Sequence, residues 1–190
     1  MSRWFLVSFI GAMLASGTAF QNTPTPQSLD PARPYEDAEA YKVYSVLLAN
    51  SDRPLLIFQE TGGDMGCLDS VRAHDKQAAS AFDDYVKVNE RVWMLQDKFS
   101  FKKPHKLVDS ADTKAMYEEQ EKEATRLGYR AGSGYFILSA VGFNADKTIA
   151  VVNVYYHCGG MCGDGHLRVL RKTDGIWTET IEDQVCVVNS

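Results

Sequence analysis

The residues with the most chemistry in them occupy ten consecutive positions, His157-Cys158-Gly159-Gly160-Met161-Cys162-Gly163-Asp164-Gly165-His166. Half of the cysteines and half of the histidines of the chain fall here, so this segment is a cross-link, a ligand site or both. As a cross-link, Cys158 and Cys162 close a small ring at the top of a hairpin, and the glycines supply the positive φ angles such a turn needs. Loop entropy gives a ring of that size only about 2 kcal/mol, so its role would be to fix the loop. As a metal centre, His157, Cys158, Cys162 and His166 are zinc-ligand types. Strand alternation, however, sends His157 and Cys158 to opposite faces, and an oxidising compartment removes thiolates. Three residues between the cysteines also differ from the two of a thioredoxin-type redox pair. A disulfide is the expectation, and a metal carrier is the alternative.

Cys67 and Cys186 are then left to pair with each other, one of three connectivities that four cysteines allow. That bridge would close roughly 120 residues and contribute about 5 kcal/mol on the same model.

The N-terminus supplies the compartment. Arg3 is followed by an apolar, uncharged run from Trp4 and by the small residues Ala15-Ser16-Gly17-Thr18-Ala19, the pattern of a signal peptide cleaved after Ala19. Residues 20–34 hold four of the six prolines and read as a linker. The remaining 35–190 has the length of a single domain. The expected location is exported, periplasmic or secreted, with no stable membrane insertion after signal cleavage. The formal charge of the whole chain is −5, and no basic run is present, so nucleic acid is not an expected partner.

Other candidates are weaker. Glu60, Asp64, Asp69 and His74 surround Thr61-Gly62-Gly63, where a carboxylate and an imidazole suit acid–base work; a capped short helix explains them as well. Gly132-Ser133-Gly134 lacks the nucleophile-elbow spacing and precedes a strand. His105 follows Lys102-Lys103-Pro104 and reads as solvated loop. No phosphate loop or dinucleotide fingerprint occurs, and no cofactor is expected. No catalytic constellation is complete.

The elements that must position these residues follow from periodicity. Tyr35 to Asn50 reads as a helix with Ala40, Tyr41, Tyr44, Leu47 and Leu48 on one face. Leu55 to Phe58 is a short strand. Ala78 to Val92 is a helix whose apolar surface Trp93-Met94-Leu95 extends. Ser110 to Leu127 is a helix with Ser110 as its N-cap and a charged middle in which Glu118 can pair with Lys122. Tyr135 to Val141, Thr148 to Tyr156, His166 to Arg171 and Ile176 to Ile181 read as strands, with Asp174-Gly175 a two-residue hairpin turn. The second of these is apolar on both sides and should be central. The expected fold class is α+β, with N-terminal helices packed on one face of a four- to five-stranded, mostly antiparallel curved sheet.

Ser139-Ala140-Val141-Gly142-Phe143-Asn144, Cys158-Gly159-Gly160-Met161-Cys162-Gly163-Asp164-Gly165 and Leu170-Arg171-Lys172-Thr173-Asp174-Gly175-Ile176-Trp177 together resemble uncharacterised exported bacterial proteins. The resemblance implies no activity and transfers no catalytic residues. The Lys172 to Trp177 hairpin is also similar to the closing hairpin of NTF2-like domains, which implies a curved sheet around a concave pocket.

These observations lead to an exported, disulfide-stabilised domain that binds a small ligand or a protein. Asn153, Tyr155, His157 and Trp177 are the candidate binding residues on the sheet. A periplasmic hydrolase or isomerase with a pocket in an NTF2-like cone is the second expectation, and a carrier of metal through the Cys158/Cys162 loop the third.

Overall fold

Ile149–His157 is apolar on both sides of its alternation, and in the computed structural model both sides are covered. The structure describes residues 32–63, 68, 72–73, 75–127, 134–159 and 162–189; for 123–127 and 180–189 it describes the backbone only. Contacts group Pro31–Ser190 as one unit. The expected signal peptide and most of the linker lie outside the described residues. The elements run β1 (Arg33–Pro34), α1 (Ala38–Leu48), β2 (Leu55–Phe58), α2 (Ala79–Val88) after a single 3-10 turn, β3 (Trp93–Met94), β4 (His105–Val108), α3 (Ser110–Leu127), β5 (Tyr135–Leu138), β6 (Gly142–Phe143), β7 (Ile149–His157), β8 (Gly163–Thr173) and β9 (Ile176–Asn189).

The main sheet has seven strands in the order β4-β2-β5-β7-β8-β9, with β6 also on β7. It is mostly antiparallel, but β2 lies parallel to both β4 and β5. It is larger than the expected four or five strands because β2 joins it and because β4 forms from residues expected to be loop. His105–Val108 has two polar residues followed by two apolar ones, next to two lysines and a proline, with no strand alternation, and pairing with Leu55–Phe58 makes it a strand.

Helices cover both faces, not one. The even-numbered side of β7 (Ala150, Val152, Tyr156) joins α1, Leu55, Ile57, Leu170 and Trp177 in one core. The odd side (Val151), with Leu167 and Val169, packs on Ala81, Phe82 and Tyr85 of α2. A strand apolar on both faces needs exactly this double cover, which one layer of helices would not give. The α2 backbone crosses so close that a Cβ on Gly142 would lie 2.3 Å from the Tyr85 nitrogen, so only glycine fits there.

Local signals explain most boundaries. The Asp37 carboxylate accepts from the Glu39 N–H at 3.0 Å and caps α1. Asp109, not Ser110, caps α3: its carboxylate accepts from the N–H groups of Ala111 and Asp112, both at 2.8 Å. On the charged face of α3 Lys114 pairs with Glu118 and Lys122 with Glu119, in place of the expected Glu118–Lys122 pair. Trp93 and Met94 form β3 instead of extending α2. They pair with Arg33–Pro34, the end of the expected linker, and Trp93 exchanges hydrogen bonds with Thr61. Asp174 and Gly175 have φ of 51° and 80°, as a type I′ turn requires.

The stretch expected as one strand from Tyr135 to Val141 is broken after Leu138. At the break the buried backbone is satisfied by side chains from three other elements. The Tyr44 hydroxyl of α1 donates to the Ser139 carbonyl at 2.7 Å. The Asn89 amide at the end of α2 donates to the Ala140 carbonyl at 3.0 Å and accepts from its N–H at 2.9 Å. The Tyr35 hydroxyl accepts from the Val141 N–H at 2.9 Å. Ser139, Ala140 and Val141 are all buried, so each of these bonds replaces water that cannot reach.

At the other end of the sheet Glu39 ties α1 to the β8–β9 hairpin, accepting from Lys172 Nζ at 2.8 Å and Trp177 Nε1 at 3.0 Å. The Lys172 hydrogen bond, then that from Lys42, holds the Glu39 carboxyl down at about 2.

Two outcomes follow. Asn89→Ala removes the acceptor of the buried Ala140 N–H and one of the two donors to the Ala140 carbonyl, Ser139 Oγ being the other, and should lower the unfolding free energy by about 1–3 kcal/mol in a denaturant titration, with Lys122→Ala nearly silent. Glu39 is ionised more readily folded than unfolded, so its contribution is present above its ordinary carboxyl range and is lost as pH falls towards 2. Denaturant titrations of Glu39→Gln should therefore show a deficit of about 1–2 kcal/mol at neutral pH, allowing for solvent screening, that vanishes at the acid end.

Candidate functional site

The segment that opened the sequence reading lies at one end of the sheet. Cys158 and Cys162 form a disulfide with Cα atoms 5.1 Å apart. The turn is braced by hydrogen bonds from Cys158 N–H to the Cys162 carbonyl at 3.0 Å and from Cys162 N–H to the Gly159 carbonyl at 2.8 Å. Both sulfurs are thus bonded to each other. His157 faces Gly163 across the β7–β8 ladder and His166 faces Val154, so the two imidazoles project from opposite sides of the sheet. The four candidate metal ligands do not converge, and among the described residues no group of three or more such side chains does. Cys67 lies outside the described residues. Cys186 is opposite Leu167 on β9, where only its backbone is described.

The four candidate binding residues divide between the faces. Trp177 is buried against Phe143 on the α1 side, with its indole N–H on Glu39. Asn153, Tyr155 and His157 alternate along the other side of β7. Asn153 is 3% exposed and opposes Leu167. Its N–H donates to Ser139 Oγ at 2.8 Å, and its side-chain oxygen has no hydrogen-bond partner. It is a polar residue of the interior, beside Gly63 and Tyr85.

Tyr155 and His157 are half-buried and belong to a ring cluster. The His157 ring centroid lies 5.4 Å from that of Tyr135, 5.7 Å from that of Tyr117 and 6.1 Å from that of Tyr155. Phe58 of β2 touches Tyr135 from the far side at 5.6 Å. Three elements build this cluster. β5 and β7 bring Tyr135 directly opposite His157, and α3 lays Tyr117 over the pair. The disulfide turn lies beside it: a Cβ added at Gly159 would sit 3.7 Å from the Tyr117 ring. Burial raises the Tyr117 hydroxyl above the ordinary phenol value, and the neighbouring Tyr135 adds to the shift. Tyr135 is raised as well, again by burial. Both phenols therefore remain protonated hydrogen-bonding groups at physiological pH.

Comparison of the chain with protein-family models, with curated proteins and with solved structures finds no match.

The site is therefore described by its own geometry. A small concentration of charge sits on the other side of the sheet at the same end. Asp164 accepts from Arg53 at 3.0 Å and lies 3.2 Å from His166 Nε2, while the Arg53 guanidinium stacks 3.9 Å from the Tyr156 ring centroid. The Asp64, Asp69 and His74 group lies outside the described residues; Glu60 is exposed and bridges to Met94. His105, expected in solvated loop, is on β4 with Nε2 2.7 Å from Asp97 and its ring against Phe99 and Phe101.

Sequence reasoning missed Tyr117. It lies on a helix whose visible signal is charge, and only the half-buried face seen at Thr113 and Tyr117 reveals it. The i, i+4 spacing of those two residues was the available clue.

Gly165 lies directly opposite Tyr155, and a Cβ there would come within 2.6 Å of the Tyr155 ring. Gly165→Ala must therefore turn that ring away. The expected result is a displaced His157 imidazole resonance in the NMR spectrum, with the His105 resonance unmoved. Unchanged His157 shifts would show that the rings are not packed in this way.

Proposed function

We propose that the chain is an exported, disulfide-stabilised α+β binding domain whose ligand end is the ring cluster beside the Cys158–Cys162 turn. The single observation that carries this reading is the placement of His157 among Tyr117, Tyr135 and Tyr155, half-buried and within stacking range of all three. Rings held this way offer apolar faces together with hydroxyl and imidazole edges, a combination suited to a small ring-containing ligand with a hydrogen-bonding group. The disulfide supports the same reading, because a turn fixed before the ligand arrives loses little entropy when it binds.

Export is supported by the N-terminal pattern of Arg3, apolar run and small residues, and by a disulfide that an oxidising compartment preserves. Among the described residues no helix is long and apolar enough to cross a membrane. Binding is favoured over turnover because the groups nearest His157 are phenols, not a carboxylate that would orient and charge it.

Titration with p-cresol and with indole, followed by NMR of the histidine rings, tests the proposal. A saturable shift of His157, without a matching shift of His105, is expected. The double variant Tyr117→Ala, Tyr155→Ala should weaken binding about tenfold or more, as loss of two aromatic contacts predicts. Equal binding by a folded double variant, or no saturable shift with either compound, would sink it.

A further inference from the structure

Away from the ring cluster an open groove of about 590 Å³ runs between the N-terminus of α1, the later turns of α2, β3 and the turn joining β6 to β7. Its walls combine the aromatic residues Trp93, Phe143 and the buried Tyr35 with three carboxylates, Glu36, Asp37 and Asp84. We propose that this groove docks an extended peptide through an arginine or lysine side chain laid between the rings and the carboxylates.

The chain itself shows that the groove suits a cation. Lys147, held in the turn at φ 49°, places its ammonium 2.8 Å from the Asp37 carboxylate and 5.1 Å from the Phe143 ring centroid. A positive charge is thus stabilised there by a carboxylate and an aromatic face together. Lys147 and Arg91, whose guanidinium lies 5.5 Å from the Trp93 ring centroid, stand against three carboxylates, so the groove keeps an excess of negative charge. Asp84 accepts from the Phe143 N–H at 2.9 Å. Glu36 is exposed and makes no ion pair among the described residues. An anionic ligand is repelled, and a purely apolar one leaves these charges unmatched. The groove is also open along its length and exceeds what one basic side chain fills, which favours a peptide over a free amine.

Lys147 then occupies part of the site in the empty state, and the incoming cation competes with it for Asp37. This gives opposite signs for two substitutions. Glu36→Lys adds repulsion where no intramolecular bond is lost. Lys147→Ala removes the competitor.

The test is fluorescence anisotropy with the full chain and a fluorescein-labelled Ala-Arg-Ala-Lys-Ala peptide at low salt, with labelled Ala-Glu-Ala-Glu-Ala and unlabelled free arginine as comparison arms. The basic peptide should bind and the acidic one should not, and added salt should weaken binding. Glu36→Lys should reduce affinity about fivefold or more, and Lys147→Ala should raise it about two- to fivefold, as surface charge pairs allow. Equal binding of the acidic peptide, no effect of either substitution in a folded protein, or no binding of the basic peptide overturns the proposal. Competition by free arginine at concentrations equal to the peptide overturns the peptide assignment. The ring-cluster reading is untouched by any of these results, because Glu36 and Lys147 lie outside that cluster.

Discussion

The structure depends on the unpaired backbone at Ser139-Ala140-Val141. A buried peptide group without a partner costs about as much as several ordinary contacts provide. Here the ladder stops inside the protein once the Ser139 N–H has bonded the Asn153 carbonyl, and Tyr35, Tyr44 and Asn89 answer the groups that follow with four hydrogen bonds, donating in two and accepting in two. Those side chains come from the chain just before α1, from α1 itself and from the end of α2. One interruption in one strand therefore fixes the positions of both helices that cover the sheet. Because α1 and α2 lie on opposite faces, the break also sets the two cores against each other through β7.

That arrangement explains why the chemistry gathers at the far end. With β7 clamped by helices over Ala150 to Asn153, Tyr155 and His157 on its α2 side pass beyond α2, and His157 meets Tyr117 of α3 instead. Rings replace aliphatic side chains there because the cover is thinner, and an amphipathic ring tolerates being half wet. The groove at Trp93 and Phe143 arises by the same logic at the opposite end. It is where the α1 cap, the end of α2 and the β6–β7 turn approach without interdigitating.

How much of this was legible from residues alone varied with the range of the interactions. The hairpin at Asp174-Gly175, the limits of α3 and the central place of β7 follow from local composition, and the structure has them. β4 was not legible, because His105–Val108 is a strand only by virtue of Leu55–Phe58 some fifty residues earlier. The break after Leu138 was hidden too: Tyr135 to Val141 is apolar but for Ser139, and one serine does not announce that Asn89 will take the ladder's place. Of the candidate site, His157 and Tyr155 were found from their place on the sheet, whereas Tyr135 was read only as the start of a strand. Trp177 went to the other face because its register on Lys172 is set across a turn, and Tyr117 was masked by the charges around it.

The polar groups that meet at the strand break also impose an order on folding. Tyr35, Tyr44 and Asn89 stand 106, 95 and 51 positions before the residues they serve. During synthesis the helices emerge long before the strand that receives their hydroxyls and amide. Contacts of such sequence separation close late and slow the final step. Until β5 and β7 arrive, the apolar faces of α1 and α2 have only each other's neighbourhoods to shelter in. Sheet and helices are thus tied together by contacts that span 51 to 106 positions, the long-range kind that slows folding.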